Sequence, residues 1–249
     1  MIDKKFIYFP SLSTFSFKFK NDVVLFDDLK YKFYSDEYGK FKHPYFLLTA
    51  GTLYKKMNIR EELEMKDILV FGDSGGYQIA SGVLKWNVAL RENIFNWLEA
   101  NSDIAMNLDI PPVTNGMSFQ DCVNISKENI EWFEKKQNGK TDFLNIVQVY
   151  DETRTNAWYN AVKDYTFQGW AWGGNGLKSI TPILRTICLF LKNKEFDKKN
   201  VKWLHFLGKT GVPHFFIYAV LQNNFNKYFP HITLTTDSST PAKQAIYGG

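Results

Sequence analysis

Asp73-Ser74-Gly75-Gly76-Tyr77-Gln78 follows directly on the apolar run Ile68-Leu69-Val70-Phe71. A carboxylate therefore stands at the exit of a buried strand, ahead of a diglycine turn and an aromatic, a layout suited to acid/base work on a flat ligand. The same order, strand first and aspartate last, returns in Ile104-Ala105-Met106-Asn107-Leu108-Asp109 and in Leu234-Thr235-Thr236-Asp237. Three strand-terminal aspartates so far apart in the chain point to one pocket built by one barrel.

Working outward, short apolar runs occur at Phe6–Phe9, Tyr45–Ala50, Ile68–Gly72, Ile104–Leu108, Phe143–Gln148, Phe167–Trp172, Trp203–Leu207 and Ile232–Thr236. Several lack period-two alternation, as parallel strands covered on both faces do. Helical stretches separate most of them. Ser118–Lys136 opens on Ser118 and is apolar at Val123, Ile125, Ile130 and Phe133; Thr181–Lys192 has Pro182 at a first helical position; Val212–Phe225 is apolar at Phe215, Phe216, Tyr218, Ala219 and Leu221. Strand–helix alternation predicts an α/β fold with a parallel sheet. Eight strands in 249 residues predict a (β/α)8 TIM barrel, which typically takes roughly 250 residues.

Residues 11–44, rich in Phe, Lys, Asp and Tyr, interrupt the alternation and predict a hairpin or cap inserted after the first strand. No repeat or linker divides the chain, so residues 1–249 are expected to form a single barrel domain. Gly249 lies a few residues past the eighth strand. The closing helix is expected to be short or missing, unless the chain is part of a longer polypeptide.

Composition narrows the class. Hydrophobic residues at 45% and charged residues at 22% suit a globular protein, and the 22 Phe within a 17% aromatic share can serve both core layers and a stacking surface. A formal charge of +4 is compatible with a polyanion partner without demanding one. Cys122 and Cys188 are the only cysteines and form no C-x-x-C pair, which excludes a disulfide framework or a cysteine-rich zinc site within the chain. The N-terminal residues Met1-Ile2-Asp3-Lys4-Lys5 lack a signal-peptide core, and no run of about 18 apolar residues exists. A cytoplasmic protein with no membrane partner is the expectation.

Barrel enzymes carry their working groups at the carboxyl ends of strands. Asp73, Asp109, Gln148, Gly173-Gly174, Gly208 and Asp237 fall at those ends. An aspartate there can equally cap a helix or a turn. Recurrence at the same end of successive strands favours chemistry.

In this order the motifs resemble the tRNA-guanine transglycosylase superfamily, which includes enzymes that insert 7-deazaguanine bases into phage and bacterial DNA. Asp73–Gln78 is similar to the signature D-S-G-G-[FY]-Q. Ser102–Asp109, followed by Pro111-Pro112, resembles the segment ending in the base-reading aspartate, and Ile146-Val147-Gln148 the glutamine strand. Trp172-Gly173-Gly174-Asn175-Gly176-Leu177 resembles I-G-G-L, and Phe206-Leu207-Gly208 resembles L-M-G. Asp237 to Lys243 keeps the spacing of D-x-x-x-P-T-R with Ala242 and Lys243 in place of Thr and Arg. The resemblance runs from about Tyr45 to Lys243.

It implies Asp237 as the nucleophile on C1′ of the target nucleoside and Asp73 as the general acid/base. Asp109 would accept from the purine N1–H and 2-amino group, Gln148 and the Gly173-Gly174 backbone would face O6, and Tyr77 and Leu207 would sandwich the base. Lys209, Lys243, Lys85 and Arg91 are candidates for nucleic-acid phosphates, and the target base would have to leave its stack. No metal and no cofactor are implied. Two departures leave the incoming base open: Ile110-Pro111 replaces the acidic–cysteine pair, and Val149-Tyr150 replaces two glycines. The Cys3His zinc subdomain of the tRNA enzymes is lacking, which favours DNA over tRNA as the partner of a nitrile- or aminomethyl-bearing 7-deazaguanine. A tRNA-acting enzyme, a non-catalytic nucleic-acid-binding partner subunit and a nucleoside N-glycosidase are the alternatives.

Overall fold

The computed structural model describes residues 4–11, 43–63, 65–174, 177, 179–208 and 210–239. Eight parallel strands form one sheet in the order β1-β8-β7-β6-β5-β4-β3-β2. They are β1 (Ile7–Pro10), β2 (Tyr45–Thr49), β3 (Leu69–Asp73), β4 (Ile104–Met106), β5 (Asp142–Gln148), β6 (Gly169–Gly173), β7 (Trp203–Phe206) and β8 (Thr233–Ser238). The first and second strands meet through a parallel bridge between Ser11 and Leu47, so the sheet curls into a nearly closed barrel. The fold is the (β/α)8 barrel that the alternation predicts. The expected cap falls almost wholly on residues 12–42, outside the described residues.

Between the strands run α1 (Ala50–Leu53), α2 (Ile59–Glu62), α3 (Gly76–Ala80), α4 (Val88–Asn101), α5 (Phe119–Lys136), α6 (Glu152–Val162), α7 (Ile180–Lys192) and α8 (Val212–Tyr228). Apart from β1, where only Phe9 is buried, the strands bury both faces, which is why the runs read as continuously apolar. One face fills the bore with Phe9, Leu47, Phe71, Ile104, Met106, Leu144, Ile146 and Ala171. The other packs under the helices, where Phe95, Phe133 and Phe143 form one cluster and Trp172, Phe190 and Phe206 another. At about 25 cal/mol per Å2 of apolar surface removed from water, these rings carry much of the folding free energy.

Helix boundaries follow local chemistry. Ser118 and Asp121 close a reciprocal capping box at the start of α5, while Lys135 and Lys136 occupy its negative end. Pro182 is the third residue of α7, not the first, because the Ser179 hydroxyl accepts from the Thr181 N–H and starts the helix at Ile180. A proline is tolerated there because first-turn N–H groups lack intrahelical acceptors. The fourth strand is shorter than its apolar run. It ends at Met106, and Asn107 continues the ladder only through its N–H to the Leu144 carbonyl and its side-chain amide to Asn145.

Among the described residues no helix is long and apolar enough to cross a membrane.

Candidate active site

The carboxyl ends of the strands surround a cavity of about 610 Å3. Its wall contains Asp73, Asp109, Asp237, Gln148, Gly173, Gly174, Tyr77 and Leu207 together. These are all the residues to which the sequence assigns catalysis or base binding. Met106, Ile146 and Leu47 form part of the lining toward the filled bore, and Pro111, Val113 and Tyr150 contribute from the loops.

Asp73 is the last residue of β3, paired in register with Thr49 of β2. The turn behind it depends on Gly75, whose φ of +93° is left-handed and whose Cα lies so close to Gly51 that a side chain would meet backbone. That turn aims the Gly75 N–H at Asp73 Oδ1 over 3.0 Å. Burial pushes the Asp73 carboxyl up to about 6, and the nearby Asp237 charge adds to the shift against the hydrogen bonds from Gly75 and Thr49. Its turn contact is therefore real, and it coexists with a proton affinity fit for acid/base work near neutral pH.

Asp109 stands three residues beyond β4 and is buried. The side-chain amide of Gln148, the last residue of β5, donates to its Oδ2. Burial raises the Asp109 carboxyl to about 7; the Gln148 bond opposes this and the Asp73 charge adds to it. Gln148 Oε1 is buried without a hydrogen-bond partner, leaving an acceptor beside the carboxylate. Gly174 bends away at φ +98°, where an added Cβ would lie 2.6 Å from the Val149 carbonyl oxygen. Asn175 and Gly176 lie outside the described residues.

Asp237 sits next to last in β8. The Gly208 N–H donates to its Oδ1 over 2.8 Å, and His205 Nε2 lies 3.2 Å from the same oxygen. His205 is fully buried and its ring stacks on Phe71 at 4.0 Å between centroids. The sequence reading missed it because a histidine inside Trp203-Leu204-His205-Phe206 looks like core. The available signal was its parity: His205 and Leu207 alternate along the strand, so both share one face.

Tyr77 is 76% exposed, which rules out a core role and leaves its ring at the rim of the cavity. Tyr150 reaches the cavity wall from the loop after β5. Burial and the Asp109 charge push its phenol up to about 12, so it remains a neutral donor over the physiological range.

The basic candidates divide. Lys85 is exposed ahead of α4, and Arg91 lies over Trp132 of α5 with 4.8 Å from its guanidinium carbon to the ring centroid. Neither lines the cavity. Lys209 and Lys243 lie outside the described residues. Among the described residues no group of three or more His, Cys, Asp or Glu side chains is arranged to hold a metal ion.

Three carboxylates at a barrel mouth, two of them with raised proton affinity, can carry a nucleophilic displacement assisted by proton transfer. In comparisons with known proteins, no protein-family model and no curated protein matches the chain.

Proposed function

We propose that the protein is a nucleic-acid guanine transglycosylase that exchanges guanine for a 7-deazaguanine base in DNA. The observation that carries this reading is the convergence of Asp73, Asp109, Gln148, Tyr77 and Asp237 on one cavity of about 610 Å3, within the roughly 300–1,000 Å3 common for small-ligand sites.

In the first half-reaction a carboxylate oxygen of Asp237 attacks C1′, forming a C1′–O bond as the C1′–N9 bond breaks. The electron pair leaves with guanine, and protonated Asp73 supplies the proton. In the second half Asp73, now a carboxylate, removes the N9 proton of the incoming base, whose nitrogen displaces Asp237 from C1′. Two displacements at one carbon retain configuration, as in retaining glycoside hydrolysis. Asp109 as a carboxylate accepts from the N1–H and 2-amino group of guanine-like bases; adenine offers no such pair. Tyr77 covers a face of the base from the rim, with Leu207 opposite. DNA is the polymer proposed, with tRNA as the alternative that the labelling test below separates.

The test is incorporation of radiolabelled guanine or 7-deazaguanine into duplex DNA, single-stranded DNA and tRNA, with Asp237→Ala as control. Label entering DNA supports the reading, and label entering tRNA changes the polymer but keeps the chemistry. Abasic sites without label would replace exchange with hydrolysis. Tight nucleic-acid binding with neither outcome would make the chain a non-catalytic subunit.

A further inference from the structure

The carboxylate assigned as nucleophile is gripped from one side by a polar chain that runs back into the barrel. Thr235 and His205 are register partners across β8 and β7. His205 Nδ1 lies 2.8 Å from Thr235 Oγ1, and Nε2 lies 3.2 Å from Asp237 Oδ1. The Thr235 hydroxyl has a second neighbour, the Leu204 carbonyl, at 3.4 Å. The carbonyl can only accept, so the hydroxyl donates to Leu204 while its oxygen stays in contact with Nδ1 and fixes the ring. The contact between Nε2 and the Asp237 carboxylate has a proton only when Nε2 carries it. The opposite tautomer would aim a nitrogen lone pair at a carboxylate oxygen within a buried site, an arrangement with no compensating proton.

Oδ1 of Asp237 consequently receives two donors, the imidazole Nε2–H and the Gly208 N–H. Among the described residues no hydrogen bond goes to Oδ2. The stack of His205 on Phe71, with 23° between the rings, keeps the imidazole from turning aside. Burial of the ring excludes water as a substitute donor.

We infer that His205, held by Thr235 with its Nε2–H toward the carboxylate, is the positioning residue of Asp237: it ties down Oδ1 so that Oδ2 faces the sugar. The kinetic part of this inference rests on the proposed exchange reaction. In the first half-reaction the tie fixes the approach of Oδ2 to C1′. In the second, both donors stabilise the charge that returns to the carboxylate as the ester bond breaks, the same service oxyanion donors give elsewhere.

Two measurements test it. His205→Phe keeps a ring on Phe71 and removes the donor, while His205→Gln restores an N–H at the same reach. Loss of one charge-assisted hydrogen bond is expected to lower kcat about tenfold or more in the Phe variant with KM for the base nearly unchanged. The Gln variant is expected to recover most of that loss, at a thermal midpoint equal to that of the Phe variant. Equal kcat in wild type and His205→Phe, or no recovery in His205→Gln, would overturn the inference. Independently of any activity, the 15N spectrum of the wild-type imidazole is expected to show a protonated Nε2. A protonated Nδ1 with bare Nε2 refutes it. Should the wild-type protein exchange no base, the transglycosylase reading falls and the nitrogen spectrum alone decides the placement of His205.

Discussion

Gln148 donates its side-chain amide to Oδ2 of Asp109, and both residues are buried where the fourth and fifth strands open into the cavity. The bond is the chief force holding the Asp109 carboxyl down against its burial. Gln148→Leu removes the donor without removing bulk. Base binding measured by calorimetry at pH 7.5 is expected to weaken about ten- to a hundredfold, the worth of a charge-assisted hydrogen bond of roughly 1.5–3 kcal/mol. Unchanged affinity would show that Asp109 does not read the base.

In the proposed exchange guanine presents donors to Asp109 and would bind the ionised carboxylate. With that carboxyl raised to about 7, the ionised fraction grows as pH rises through 7. Guanine affinity is expected to rise between pH 6 and 8 and then level off, and the rise should vanish in Asp109→Asn. A flat profile in the wild type would remove Asp109 from base recognition.

The same burial costs stability. In the unfolded chain the Asp109 carboxyl ionises near its ordinary value, about 4, but in the fold it keeps its proton to about 7. Its contribution to stability is therefore complete below pH 4 and is lost as pH rises through 7. Asp109→Asn is expected to stabilise the protein at pH 8 by roughly 1–3 kcal/mol, read as a shift in the urea midpoint, while showing little effect at pH 4. A stability loss at pH 8 would contradict the sign.

Tyr77 tests whether the rim takes part in binding. The residue is largely exposed, so Tyr77→Ala should leave the thermal midpoint nearly unchanged. Base affinity is expected to fall about five- to a hundredfold, since stacking on an aromatic is worth roughly 1–3 kcal/mol per base. Fluorescence or calorimetric titration checks this, and equal affinity would leave the base unstacked on that side.

Gly75 makes the opposite test, of architecture. Alanine there would hold a left-handed φ and place its Cβ 2.6 Å from the Gly51 Cα. Gly75→Ala is expected to destabilise the fold by about 2 kcal/mol or more and to release Asp73 from the N–H that holds it. A variant as stable as wild type by chemical denaturation would mean that the turn has another accessible shape.

The barrel was legible because of how parallel strands are buried. Val70 and Phe71 face opposite layers, yet both are enclosed, so the run around them carries no polar interruption until the strand leaves the core at Asp73. That exit is also why the mouth could be read: Asp73, Gln148, Gly173 and Asp237 each lie within the last two residues of a strand. Sequence distance failed in two ways. Arg91 follows the Asp73 loop closely, but α4 carries it onto Trp132 and away from the cavity. His205 lies 32 residues before Asp237, and nothing in either segment reveals their contact until the seventh and eighth strands are set side by side in register. Pairing between neighbouring strands is long-range information that a linear pattern does not contain.

The filled bore gives the cavity a dry floor. Phe71, Met106 and Ile146 plug the cylinder beneath the acids, so among the described residues ligand and solvent meet the acids at the mouth. In the proposed reaction a sugar ester formed there would face competition between a second base and water. The occupant that stays longer wins, so the fidelity of such a centre becomes a matter of residence time, set by how slowly a flat guest slips out past Tyr77.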